Sequence, residues 1–183
     1  MMPDDSFKAN QAEMREAYAS GIPGAFVSGI VWLASAIVLV MFGMNAGVGT
    51  LLVGGLGIFP LSLLGCRALG ASGKHTPGNP LGYLAMETTL WLMAGIFIAF
   101  ATVLVGSSAL FFPVMLLVIG SRYLAFQSLY GLRLYWLAGG ALCIAGFLAA
   151  ILNLTAWVPA LLGGIIEIAL AIALHFRLPR GPG

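Results

Sequence analysis

A chain of 183 residues that is 61% hydrophobic and 8% charged cannot cover a water-facing surface, because soluble domains carry about 25% charged residues. A mean hydropathy of +1.04 and 25 glycines point instead to an integral membrane protein with closely packed helices. The formal charge of +2 comes without a continuous basic and aromatic stripe, which argues against a nucleic-acid partner.

Residues 1–22 contain Asp4, Asp5, Lys8, Glu13, Arg15 and Glu16 and no apolar centre. They read as an amphipathic or frayed cytoplasmic helix at the membrane surface, with a weak apolar face of Ala12, Met14 and Ala17, rather than as a secretory signal. Residues 23–177 read as a transmembrane domain with six spans at about 25–45, 47–64, 84–105, 107–129, 134–152 and 155–176, each near the roughly 20 apolar residues that cross a bilayer. Residues 178–183 are assigned to a cytoplasmic tail. Backbone groups in lipid must bond within the protein, so a span is a helix or part of a closed barrel. These runs are too long and too continuously apolar for barrel strands. The expected fold class is therefore all-α, a polytopic six-helix bundle.

The basic residues support an even number of spans. With six, Lys8, Arg15, Arg67, Lys74, Arg122, Arg133, Arg177 and Arg180 all fall at one face, which the positive-inside rule makes cytoplasmic for both termini. Tyr83, Tyr123, Tyr130 and Tyr135 lie toward the same face, where interfacial rings gather. Three helices carry a similar phrase at Trp32, Trp91 and Trp136, and the helix after each carries a proline, at Pro60, Pro113 and Pro159. This pattern suggests three repeated two-helix hairpins. The loop GCRALGASGKHTPGNPLG is the only long one and separates the first hairpin from the rest.

Small residues recur at helical spacing in three spans: Gly95, Ala99, Thr102 and Gly106; Gly139, Cys143, Gly146, Ala150 and Asn153; Ala156, Ala160, Gly163, Glu167 and Ala171. Such faces let helices approach closely. Glu167 shares the face of its small neighbours and so points into the bundle, near the centre of its span, where a charge is most costly. Three readings follow. Glu167 is a neutral acid bonded to a backbone carbonyl or to a partner such as Thr102, or it is a proton or solute site together with Thr102 and Asn153, or it is a lipid-facing acid needed for assembly. Glu87 and Arg122 are expected on antiparallel neighbours in the cytoplasmic third, as an ion pair or as a vestibule shared with Tyr123 and Gln127.

Motifs of known chemistry are missing. Cys66, Cys143, His75 and His175 show no metal-ligand spacing, so no metal or cofactor is expected. GVGTLLVGGLG lacks the third glycine of a dinucleotide loop and lies inside a span. No nucleophile elbow, phosphate loop or intramembrane protease pair appears, and the sequence leans away from an enzyme.

NPLG after the long loop, FP within the second span and the one-sided basic layout resemble an uncharacterised bacterial family of small multi-pass membrane proteins, a domain of unknown function. The resemblance covers the chain from about Tyr18 onward. It implies a bacterial inner-membrane protein and no particular activity.

The sequence thus favours a small transporter or permease-like protein, proton-coupled through Glu167, with membrane lipids around it and a homodimer as the favoured assembly. Its solute is unidentified. The alternatives are a non-catalytic membrane packing or partner-binding module, and a membrane enzyme acting on a lipid head group for which Glu87, His75 and Arg122 would converge. A transporter predicts a polar cavity reaching Glu167, a module predicts a dry closed core, and an enzyme predicts a laterally open cleft near Arg122.

Overall fold

A computed structural model describes residues 3–177; the predicted tail at 178–183, with Arg180, lies outside the described residues. Seven α-helices follow one another: α1 (Pro3–Ala17), α2 (Ile22–Phe42), α3 (Met44–Ala68), α4 (Leu81–Leu104), α5 (Phe111–Tyr130), α6 (Leu134–Ile151) and α7 (Trp157–Arg177). The last six are each long and apolar enough to cross a membrane. Prolines prepare several helix starts, since a fixed φ and a missing N–H cost nothing in a first turn. Pro23, Pro113 and Pro159 sit in the first turns of α2, α5 and α7, whereas Pro60 lies deep inside α3. Of the prolines of the suggested repeat, Pro113 and Pro159 are both the third residue of their helix and Pro60 alone departs, although all three hairpins are formed.

The hairpins are α2–α3, α4–α5 and α6–α7. Two of the three joints between hairpins are closed: α5 packs along α6, and α7 packs along α2. Glycines make both joints. A Cβ on Gly120 would stand 2.8 Å from the Gly139 carbonyl oxygen, and one on Gly139 would stand 2.7 Å from the Gly120 carbonyl oxygen. Likewise a Cβ on Gly164 would lie 2.9 Å from the Gly29 carbonyl oxygen. Backbones approach this closely only where side chains are absent, which is how helices gain van der Waals contact in lipid. At the third joint, α3 and α4 flank a cavity instead of packing along each other. The long loop at this joint spans the gap.

Helix α1 and this loop cover the basic end of the bundle. Met14 and Ala17 are buried as the weak apolar face predicted, and Ala12 is exposed. Gln11 Nε2 donates to the Ser128 carbonyl at 2.8 Å, and an Arg15 guanidinium N–H donates to the Tyr130 carbonyl at 2.6 Å. These bonds satisfy C-terminal carbonyls of α5 that its own helix cannot. Asn79, the first residue of NPLG, caps α4 by accepting the Leu81 N–H at 3.0 Å. Its amide also donates to the Asn10 carbonyl at 3.1 Å and to Glu13 at 2.9 Å. The motif thus has a structural role that joins α1, the loop and α4.

Candidate functional site

Glu167 lies midway along α7 and is 0% exposed. It faces the interior because Ala160, Gly163 and Ala171, also buried, share its side of the helix, while Ile165 and Ile172 are exposed. Tyr123 on α5 donates its hydroxyl to Glu167 Oε1 at 3.0 Å. Ser28 on α2 lies beside the same carboxyl. The second oxygen, Oε2, is buried without a hydrogen-bond partner. A buried polar atom left unpaired is costly, and Ser28 is the hydroxyl nearest to serving this carboxyl besides Tyr123.

Arg122 neighbours Tyr123 in sequence and turns toward α4. Its Nη2 donates to Thr89 Oγ1 at 3.2 Å, its guanidinium carbon stands 5.0 Å from the centre of the Phe126 ring, and its Nε is buried without a partner. The expected pairing with Glu87 is replaced by this contact. Residues two apart on a helix point about 200° away from each other, so when Thr89 faces Arg122, Glu87 faces outward, and it is exposed.

Around these groups lies a cavity of about 520 Å³. Glu167, Tyr123, Arg122, Thr89 and Ser28 form its polar part, and α3 and α4 supply a mainly apolar wall. Four packed rings, Tyr123, Phe126, Tyr130 and Tyr135, close it toward the basic end, with Tyr130 and Tyr135 stacked at 5.4 Å. Tyr135 also donates to the Ser20 carbonyl at 2.7 Å. Tyr123, Tyr130 and Tyr135 are therefore buried contributors to the bundle rather than members of an interfacial belt; Tyr83 is exposed. Leu56 and Phe59 line the cavity while 76% and 68% exposed, so the cavity opens sideways between α3 and α4.

The structure does not bring Thr102 or Asn153 to Glu167. Thr102 donates to the Ala99 carbonyl at 2.6 Å within its own helix. Asn153 has φ 49° in the turn after α6, a left-handed conformation that Asn tolerates, at the end of the bundle away from the basic face. Gln127 is half-buried on α5 and outside the cavity wall. His75 lies in the long loop, 2.8 Å from the Tyr18 hydroxyl, so it does not converge with Glu87 and Arg122. Sequence reasoning missed Ser28 and Thr89, because hydroxyls inside apolar helices give no signal of which neighbour they face. Among the described residues no cluster of His, Cys, Asp and Glu is arranged to hold a metal.

Comparison with curated proteins gives no match, and neither does comparison with solved structures. One family model matches residues 7–177, nearly the whole chain and all six apolar helices, and its description is a family of unknown function, DUF7010. The protein, a chain with six long apolar helices and a buried acid at the wall of a cavity, belongs to that family.

Proposed function

We propose that the protein is a small permease-like membrane protein whose solute occupies the cavity beside Glu167 and whose transport is coupled to a proton on that carboxyl. The observation that carries this reading is a fully buried acid with one oxygen held by Tyr123 and the other unpartnered, at the wall of a cavity. Intramembrane acids in such settings mark proton and ion pathways. Tyr123 fixes the carboxyl while leaving Oε2 available, so protonation can change without rebuilding the bundle. The same proposal places the protein in a bacterial inner membrane with both termini cytoplasmic. Its support is the concentration of Arg15, Arg67, Arg133 and Arg177 at one end of the helices and the positive-inside rule.

The test is proton movement in proteoliposomes containing a trapped pH-sensitive dye, under an imposed pH gradient. Native protein is compared with Glu167→Gln at matched reconstitution and verified folding. The expected result is a protein-dependent signal that disappears in the variant. Equal flux through both proteins, or silence from both, overturns the coupling role of Glu167.

A further inference from the structure

Arg122 shares its cavity with Glu167 but forms no ion pair with it, and its Nε has no hydrogen-bond partner. It lies in the inner part of a membrane-spanning helix, and no carboxylate among the described residues comes within ion-pair distance of it. Its contacts are one threonine hydroxyl and the face of one ring. The guanidinium is half-buried and makes no ion pair, with Glu167 of the same cavity acting on it only across the space between them, and its planar array of N–H donors matches carboxylate, sulfonate and phosphate groups. The unpartnered Nε belongs to a residue of the cavity wall. The rest of that wall is chiefly hydrocarbon: Leu56, Ile58, Phe59 and Leu63 from α3, with Leu92 and Met93 from α4. The volume of about 520 Å³ lies within the range of small-molecule sites, about 300–1,000 Å³, and the open side is the unclosed joint between α3 and α4.

We infer that this cavity binds an anionic amphiphile, with the anionic head group at Arg122 and the hydrocarbon chain along the α3–α4 wall, reached sideways from the bilayer. The inference rests on the reading of the cavity as a solute site and does not require that the solute be transported. An organic cation would also suit four aromatic rings and an acid. Arg122 opposes it, because the guanidinium already stands over Phe126 and repels a second positive charge.

Gly55 provides a probe of the cavity that spares the fold. It lies on the cavity wall, and a Cβ there meets nothing within 4 Å, so Gly55→Leu adds bulk at the wall from a position where the first carbon meets open space. The full chain is reconstituted in phosphatidylcholine nanodiscs with a trace of spin-labelled stearate, spin-labelled phosphatidylglycerol or spin-labelled phosphatidylcholine. Electron spin resonance then reads the fraction of each label immobilised by protein. In parallel, displacement of bound label by tetraphenylphosphonium tests the cation.

The expected result is a several-fold preference for an anionic label over phosphatidylcholine. The preference is lost in Arg122→Gln and in Gly55→Leu and kept in Arg67→Gln, whose side chain is exposed at the end of α3. Preference for stearate alone assigns a single-chain anion, and preference for phosphatidylglycerol alone assigns a lipid head group. Either supports the inference. Equal immobilisation of all labels, a preference unchanged in both Arg122→Gln and Gly55→Leu, or displacement by tetraphenylphosphonium without any anionic preference overturns it. If Arg122→Gln does not fold, Gly55→Leu decides. Binding with no proton flux retains the inference and rejects the permease, whereas Glu167-dependent flux with no anionic preference does the reverse.

Discussion

Tyr123 on α5 and Glu167 on α7 share a hydrogen bond of 3.0 Å across 44 residues of sequence, and both side chains are buried. The bond ties two helices that otherwise touch little, since α7 packs chiefly on α2 and α6. It also decides which carboxyl oxygen is held and which stays available in the cavity.

Loss of the phenolic hydroxyl in Tyr123→Phe leaves both carboxyl oxygens without the donor that now serves Oε1. Unfolding free energy in detergent should fall by about 1–2 kcal/mol, in line with a buried hydrogen bond in a membrane protein. A double-mutant cycle with Glu167→Leu, which removes the acceptor, measures the pair itself. Strictly additive effects of the two substitutions would show that the bond contributes nothing.

The α5–α6 joint depends on absent side chains. In Gly120→Ala the new methyl meets the Gly139 carbonyl oxygen at 2.8 Å and the Cys143 nitrogen at 2.9 Å, both backbone atoms that cannot move without shifting a helix. The expected loss is about 1–3 kcal/mol, as for other overpacked sites. Gly140→Ala adds a methyl that meets nothing within 4 Å and should be neutral or stabilising by up to about 1 kcal/mol through helix propensity. Thermal unfolding of the two variants checks this contrast, which depends on position rather than on residue type.

The clasp between α1 and the long loop is pH-sensitive through Glu13. Hydrogen bonds from Thr76, and then from the Asn79 side chain, hold its carboxyl below the usual value of 4.5. A carboxyl lowered in the folded state contributes stability above its unfolded value, and that stability is lost as pH falls through the folded value. Protection of the amides of Thr76 and of Gly73, whose N–H donates to the Ala17 carbonyl at 2.7 Å, measured relative to intrinsic exchange at each pH, should therefore be high near neutrality and fall on acidification. Glu13→Gln should flatten this dependence. Asn79→Ala should speed exchange throughout, because it removes the α4 cap together with the bonds to α1.

What the sequence determined by itself was set by the solvent. Lipid demands that each span satisfy its own backbone, so long apolar runs become helices, and the six spans and their small faces are legible residue by residue. The inward direction of Glu167 was legible for the same reason, since Gly163 and Ala171 share its face; of Ile165, Ile168 and Ile172, expected to meet lipid, the first and last are exposed while Ile168 packs against Gly29 of α2. What only the tertiary structure decided was which residue faces which. Arg122 and Tyr123 line one cavity, but neighbouring residues on a helix diverge by about 100°, so their partners differ, Glu167 on α7 for Tyr123 and Thr89 on α4 for Arg122. Glu87 lost Arg122 to Thr89 by the same rotation, and Thr102 and Asn153 serve their own helix and turn. The open joint between α3 and α4 left no trace in composition, because an apolar side chain facing a cavity looks the same in sequence as one facing lipid. The relative rotation of packed helices, fixed by glycine contacts between distant segments, assembled the site from residues whose types and faces were already in place.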